Sequence, residues 1–562
     1  MNPSKIKYIT LLVRFLLILF ILMTNTIVNA QQLGTEYTPK YEIRAVWLTT
    51  LGRLDWPSRP TNFDVSAVNK QKKELISILD KLKAANINTV LLQTRIRATV
   101  IYPSAIEPWD ECFTGTYGRS PGYDPLAFAI DECHKRGMEL HAWVVVMPVG
   151  NWNSYGCRAL RKKNSKILMH KDGQGYMNPA NPSVASYIAS ICKEITTNYD
   201  VDGIHLDYIR YPEAYRNSVN RYNERITAIV RSVRTAINSV KPWVKLSCAA
   251  IGKYSDLPRK SSKGWSAINT GRQDAQEWLR NGLIDQIYPM IYFRNNDFMP
   301  FALDWSENIY NGAMAGGLAA YMLSGHKNNW SLLEIERQMN VLRYVNSGFA
   351  FFRTRYLINN VKGLYSFTES FCPYPALVPP TKRGYNDKVP PPTDLKVKYL
   401  NDYIGLTWSL PVYQPDGGLT FNVYASADSH IDIKDPRNLI INNLRDNYIT
   451  INRNSKLNFA VTSVDRYGNE SKPVIFYNNT SVAIKNKYLL PNDGYKLQIP
   501  KDLQKTANGY VAFKSLAGMI VGIGKYEKNG EIDVRKLNPG CYSIHSISKD
   551  GNAHRIGFTI IK

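Results

Sequence analysis

Cysteine and histidine are scarce: seven and eight in 562 residues. Cys112, Cys133, Cys157, Cys192, Cys248, Cys372 and Cys541 are odd in number and widely scattered, which argues against a disulfide framework. They read instead as small apolar core residues. There is no CxxC pair, no HExxH and no other close His pair, so no metal site is expected. The chain also lacks the Gly-rich phosphate turn that would follow the first strand of a doubly wound nucleotide-binding sheet; Thr49-Thr50-Leu51-Gly52 stands there. No apolar run reaches the roughly 20 residues that a membrane-spanning helix needs. The longest N-terminal run, 15–23, has nine residues, or thirteen if it is counted from Leu11 through Arg14. Acidic side chains are in deficit, 46 Asp+Glu against 70 Lys+Arg, giving a formal charge of +24. Such a balance favours polyanionic partners: nucleic acid, anionic lipid or acidic glycan. With 21% charged and 12% aromatic residues, the composition is that of a folded chain.

The N-terminus chooses among those partners. Lys5, Lys7 and Arg14 precede or enter the apolar run, and Val28-Asn29-Ala30 supplies a small-residue cleavage site, so residues 1–30 read as a secretory signal. An uncleaved anchor is the alternative. No Cys lies near the cleavage site, which argues against a lipidated form. Cleavage would lower the net charge from +24 to +21. A secreted, periplasmic or surface location is expected, with the charge favouring anionic cell-envelope polymers. Export, and the lack of finger spacing or a basic base-reading helix, exclude nucleic acid as the normal partner.

The mature chain changes texture twice. From about 41 to 370, short apolar runs alternate with helical patterns. Strands are expected at 43–49, 88–95, 139–146, 203–209, 244–251, 285–293, 317–322 and 347–353. Between the first two, 68–84 places Leu75, Ile78, Leu79 and Leu82 at helical spacing, and 126–134 and 183–197 do likewise. Eight β/α units over this length predict an α/β fold, a (β/α)8 TIM-type barrel occupying 31–372. Pro379-Pro380 and Pro390-Pro391-Pro392 mark 373–392 as a stiff linker. Beyond it, about seven short strands in 393–482 predict a fibronectin type III-like sandwich. The strand-and-turn text of 485–562 predicts a second small all-β sandwich.

In such a barrel, catalytic groups sit where strands run into the following loops. The fourth strand, Gly203-Ile204-His205-Leu206-Asp207-Tyr208, is the most informative. A period of two sends Ile204, Leu206 and Tyr208 toward the helices and His205 and Asp207 toward the axis. Asp207 then lies at the rim, where an inward carboxylate is costly unless it is used or paired, with Arg210 the nearest basic partner. His141 and Trp143 share one face of strand three and would suit a sugar site or, equally, form a core pair; Tyr288 and Tyr292 on one face of strand six read as a sugar platform or as plain packing, and Arg95 stands at the end of strand two. Glycoside hydrolysis needs two carboxyl groups. Candidates for the second are Asp256 after strand five and Glu213 after strand four, then Asp297, Glu107 and Asp110. Asp202 and Asp285 start strands, on the stability face, and are set aside.

Taken together, the motifs resemble the glycosyl-hydrolase-like family 10. They are Arg44-Ala45-Val46-Trp47-Leu48-Thr49-Thr50 with Asp55-Trp56-Pro57-Ser58, Tyr102-Pro103-Ser104, Glu107-Pro108-Trp109, Gly122-Tyr123-Asp124-Pro125-Leu126, His134-Lys135-Arg136-Gly137, His141-Ala142-Trp143, Asn178-Pro179-Ala180-Asn181-Pro182 and Asp200-Val201-Asp202-Gly203-Ile204-His205-Leu206-Asp207. The resemblance covers about 41–370 and implies a TIM-barrel hydrolase of envelope or nearby polysaccharide. Two positions depart from it: Tyr208 stands where the family often has a second Asp, and Met290 where it commonly has Gln. More weakly, Gly530-Glu531-Ile532-Asp533-Val534, Leu537-Asn538-Pro539-Gly540-Cys541-Tyr542 and Phe558-Thr559-Ile560-Ile561-Lys562 resemble a type IX secretion sorting domain.

The expected reaction is therefore two-carboxylate hydrolysis of a polysaccharide, with peptidoglycan strands one candidate, catalysed by Asp207 with Asp256 or Glu213. Arg95, His141, Trp143, His205, Arg210, Tyr288 and Tyr292 would bind substrate, and no cofactor is required. The rival expectation is a non-catalytic glycan-binding protein on the same scaffold.

Overall fold

The computed structural model describes residues 38–561 apart from 216–221, 326–328, 387, 401–402, 428–429, 453–456, 479–489, 491, 493–494, 505–508, 515–519, 539 and 548–552. The expected signal (1–30) and the expected boundary at 482–485 lie outside the described residues. Eight parallel strands form a closed barrel: β1 Arg44–Leu48, β2 Thr89–Arg95, β3 Glu139–Val145, β4 Gly203–Asp207, β5 Lys245–Ile251, β6 Gln286–Met290, β7 Ala313–Leu318 and β8 Gly348–Phe351. Each pairs with the next, and β8 closes on β1 with Arg44 opposite Phe349 and Ala45 opposite Ala350. This is the expected TIM-type barrel.

The connecting helices start where the sequence offers caps. Asp64 accepts from Ser66 N and Ala67 N to begin Val65–Ala84. Asp124, followed by a proline in the first turn, begins Pro125–Lys135 in the same way. Val65–Ala84 buries Leu75, Ile78, Leu79 and Leu82, the stripe its spacing predicts. Each such side chain contributes about 1.5–3 kcal/mol of burial. On the strands, Ile204, Leu206, Cys248 and Ile287 join this outer apolar layer. Trp47, Leu91, Trp143, Ala249, Tyr288 and Ala315 fill the interior.

Two strand expectations are corrected. The seventh strand lies at Ala313–Leu318, upstream of the expected 317–322, where a short 3-10 turn, Ala320–Leu323, stands instead. Its residues are mostly small because the barrel crowds it: a side chain at Gly316 would strike Leu342, and one at Gly317 would press on Pro289, Met290 and Trp47. The fourth strand stops at Asp207, because Tyr208 takes the left-handed backbone (φ 52°).

The Pro-rich segment does not run free of the barrel. Leu377 pairs with the chain beside Glu42, and Val378 packs into the barrel interior from below. Seven strands follow in two antiparallel sheets. One sheet orders Thr393–Leu400, Tyr403–Ser409 and Tyr448–Asn452; the other orders Leu439–Leu444, Thr420–Ser426, Asn458–Val464 and Val474–Phe476. These sheets sit against the N-terminal face of the barrel. Asn442 Nδ2 donates to Gly137 O at 2.8 Å, and Arg445 and Arg466 each pair with Asp200 at 2.7 Å. Gly137 (φ 66°) has no room for a side chain against the Asn442 carbonyl.

The second compact unit, Asn478–Lys562, holds a four-stranded antiparallel sheet ordered Ile520–Lys525, Tyr510–Lys514, Gly540–Ile547, Ala553–Ile561. A two-stranded pair, Lys496–Gln498 with Glu531–Asp533, packs with it around Leu497, Val511, Phe513 and Ile544. Among the described residues Cys112, Cys133, Cys157, Cys192, Cys248 and Cys372 are free and buried.

Candidate functional site

At the C-terminal rim, Asp207 ends β4 facing the axis and is 7% exposed. Its Oδ2 accepts from Trp143 Nε1 at 3.1 Å, and its Oδ1 accepts from the Tyr208 backbone N–H at 2.7 Å. Burial raises its pKa above the usual carboxylate value and outweighs the opposing pull of Arg210 and of the two N–H donors, while Glu213 adds to the rise. Among the described residues no cation bonds to Asp207. Arg210 spends its Nε and Nη2 on Glu213 Oε1, at 3.2 and 2.8 Å, and stacks its guanidinium 4.3 Å from the centre of the Tyr208 ring.

Beside this acid lies a cluster of rings. Tyr292 meets Tyr321 edge-on at 5.9 Å and Phe352 at 6.4 Å, and Phe352 in turn meets Trp47 at 6.0 Å. Burial pushes the Tyr292 hydroxyl well up, helped by nearby Tyr321, Asp207 and Tyr208, so it stays a neutral hydrogen-bonding group. Between β3 and its helix, the chain adds a three-stranded sheet of Pro148–Asn151, Gln174–Met177 and Leu168–Lys171 on the same side of the barrel. Tyr176 of this sheet meets Tyr215 edge-on at 6.0 Å, just downstream of Glu213.

Asp207, Trp143, Arg210, Glu213 and Tyr292 are thus gathered at one rim. Tyr208, expected to face the helices, belongs with them: its left-handed turn at the strand end returns the ring to the site, where it is 37% exposed. Tyr321 and Phe352 were not foreseen either. They follow the ends of β7 and β8, and that position was their only sequence signal.

Four expected sugar contacts are corrected, because Arg95, His141, His205 and Tyr288 have no accessible surface at all. Arg95 clamps Glu107 with both Nε and Nη2 (2.9 and 2.7 Å) and also bonds the Val145 carbonyl, tying β2 to β3. His141 lies at the floor against Glu139 at 3.0 Å. His205 accepts from Trp47 Nε1 at 3.1 Å, so its proton sits on Nδ1, which donates to Ser247 Oγ at 2.9 Å. Burial, with His141 nearby, holds its pKa well down and keeps the ring neutral. Tyr288 donates to Gln286 Oε1 at 2.9 Å.

The other acids are spoken for. Asp256 is exposed, pairs with Lys253 at 2.6 Å and accepts from Ser262 N. Glu107 is held by Arg95 and by Tyr187 Oη. Asp110 accepts from Thr99 Oγ1 and Cys112 N, and Asp297 pairs with Lys260. Asp55, in the loop after β1, binds Arg353 at 2.7 Å. Asp202 and Asp285 serve ion pairs on the opposite face. Among the described residues no three His, Cys, Asp or Glu side chains converge as metal ligands would.

A carboxyl at the C-terminal rim of such a barrel stands where catalytic groups sit. Comparison with known proteins agrees with it. The pattern of the glycosyl hydrolase-like 10 family matches residues 42–222 and 214–328. Glycosyl hydrolase YngK of Bacillus subtilis is 28% identical, over 82% of this chain and 97% of its own length. Glycosyl hydrolase DigH of Escherichia coli is 31% identical, over 46% of this chain and 67% of its own. Among solved structures, the endo-1,4-beta-mannanase of Rhizomucor miehei aligns with 60% of this chain and 99% of its own at 9% identity and a TM-score of 0.40. The matched region spans β1 to β7 and holds the Asp207 rim, and on that ground the chain belongs to the glycosyl hydrolase-like 10 family.

Proposed function

We propose that the chain is an exported glycoside hydrolase that cleaves O-glycosidic bonds in a polysaccharide, with Asp207 as proton donor and Glu213 as the second carboxylate. One observation carries the reading. Asp207 is a buried rim carboxyl with a raised pKa and, among the described residues, no bonded cation, which favours the protonated form that a leaving oxygen would need. Glu213 lies within electrostatic reach of Asp207, is exposed, and is bonded by Arg210. It would activate water or attack the anomeric carbon while Asp207 protonates the departing oxygen. Asp256, oriented by Lys253 and facing solvent, is the weaker partner.

The basic mature charge favours an anionic or wall-associated glycan, and purified peptidoglycan strands are the first substrate to try. The same reading takes the seven-stranded sandwich as a fibronectin type III-like spacer, supported by its three-plus-four strand order. It takes the C-terminal unit as sorting-like. A second reading, a glycan-binding protein without turnover, draws on the two Arg210 bonds that already occupy Glu213 Oε1.

The test is release of reducing ends from a glycan panel by the wild type and by Asp207→Asn, Glu213→Gln and Asp256→Asn variants. Loss of about a hundredfold or more in the first two, with Asp256→Asn near wild type, is expected. Turnover that survives Asp207→Asn overturns the assignment, and binding without turnover in the wild type favours the second reading.

A further inference from the structure

We infer that Tyr208 is the sugar platform of the site: Arg210 covers one face of its ring, and the other face receives a pyranose ring of the glycan next to Asp207. The inference rests on the glycan-active reading above and names a residue that determines how the substrate is held.

The backbone is the first argument. Tyr208 has φ 52°, a left-handed conformation that is uncommon and costs of order 1 kcal/mol for a bulky residue. The strain is held in place from both sides. The Tyr208 N–H donates to Asp207 Oδ1 at 2.7 Å, and the guanidinium of Arg210 stacks at 4.3 Å. Ordinary strand geometry would have turned the ring toward the helices.

Exposure is the second argument. Asp207 and Arg210 are each 7% exposed and Ile209 is fully buried, yet Tyr208 keeps 37% of its surface. A large ring left open among closed neighbours, with a cation on one face, presents its free face outward. The C–H face of a pyranose suits such a ring, and the cation on the far side fixes the ring's tilt without occupying the binding face.

Arg210 supplies the third argument. Its Nε and Nη2 are used by Glu213, but its Nη1 is buried and has no acceptor among the described residues. Held by Glu213, the guanidinium stays on its own face of the Tyr208 ring and leaves the other face open for a sugar. The same side chain therefore links the platform to the second carboxylate.

The phenolic hydroxyl has no part in this role, and that makes the idea testable. The full exported protein is assayed on purified peptidoglycan glycan strands as wild type and as Tyr208→Phe, Tyr208→Trp and Tyr208→Gly. Glycine removes the ring while suiting the left-handed backbone, so its effect is not one of strain. Direct binding is measured in parallel in an Asp207→Asn background. Phe and Trp are expected to stay within about threefold of wild type in KM, while Gly raises KM and weakens binding about tenfold or more, with a smaller change in kcat.

If Tyr208→Phe is as damaged as Tyr208→Gly, the hydroxyl carries the role and the platform is overturned. If Tyr208→Gly binds and turns over like wild type, the ring is idle and the inference also falls. Binding that depends on the ring while the wild type shows no turnover keeps the platform and overturns only the hydrolase reading. A wild type that neither binds nor cleaves the strands overturns this proposal for them outright.

Discussion

Replacing Trp143 by phenylalanine removes the indole N–H that donates to Asp207 Oδ2 at 3.1 Å and keeps most of the ring's bulk. That N–H favours the ionised acid, so its loss must raise the pKa of Asp207 further above the usual carboxylate range. Hydrogen bonds to charged groups are worth about 1.5–3 kcal/mol, and about 1.4 kcal/mol corresponds to one pKa unit. The bond is longer than the 2.7–2.9 Å typical of charge-assisted pairs, which puts the expected effect at the low end, about one unit. In the proposed role Asp207 acts in its protonated form, so activity should fall as pH rises through its pKa. The alkaline limb of kcat/KM in Trp143→Phe should therefore move up by about one pH unit. The void left by the smaller ring lowers stability and scales the rate, but it does not move the limb. The assay is a kcat/KM profile across the pH range on one glycan substrate. A limb that stays in place, or moves to lower pH, would refute the assignment of Asp207 as the proton donor.

Three further outcomes follow from the same geometry. A raised native pKa means that the protonated form of Asp207 stabilises the fold. That contribution is full below the unfolded carboxylate pKa and is lost as pH rises through the native value. Asp207→Asn should thus melt above wild type at pH 7, and the gap should shrink as the pH approaches about 3; equal melting at both pH values would contradict it. Asp55→Ala strands the Arg353 guanidinium and removes the acceptor for Thr49 N and Arg355 N. A loss of about 3–5 kcal/mol in denaturant unfolding is expected, and a loss under 1 kcal/mol would show the loop does not depend on it. Arg466→Met takes from Asp200 and Asp202 a cation contributed by the sandwich. Burial opposes ionisation of Asp202, but His134, Arg466 and Lys245 hold its pKa well down, so its stabilisation is present at neutral pH and lost on acidification. The variant should be less stable than wild type at pH 7 by about 1–3 kcal/mol, and equal stability at pH 7 would exclude an electrostatic lock.

Much of the barrel was legible because period two and period 3.6 alternate cleanly, and seven of the eight strands fall within a few residues of their expected bounds. The seventh did not, because Ala313-Met314-Ala315-Gly316-Gly317-Leu318 is chosen for crowding against Leu342 and Trp47 and carries little apolar signal. At the site, alternation says which side chains face the axis but not at what depth. In an eight-stranded barrel the axis is filled by stacked layers of side chains, and only the last layer meets solvent. His141 and His205 share their inward face with Trp143 and Asp207, yet they lie deeper and are sealed by Glu139, Trp47 and Ser247. Arg95 is at the right end of its strand, but Glu107 twelve residues later claims it, a pairing that only the folded loop reveals. Tyr208 was misread for the opposite reason: a single left-handed residue ends the alternation, and nothing in its side chain announces a positive φ.

The placing of the arginines decides what each rim acid can do. Glu107 is clamped by Arg95 and Asp55 by Arg353, so the oxygens of both are committed to holding their loops, and burial raises the Asp55 pKa even against its bonded arginine. Arg210 stands three residues after Asp207 and could have played the same part. Its position on the Tyr208 ring, which the left-handed turn at residue 208 creates, directs its fork to Glu213 instead. Arg210 still lowers the Asp207 pKa through space, but burial outweighs it. The backbone turn at Tyr208 thus gives the two carboxyls different surroundings, Asp207 buried with a raised pKa and Glu213 bonded by Arg210, which is the asymmetry that the proposed acid-assisted cleavage would use.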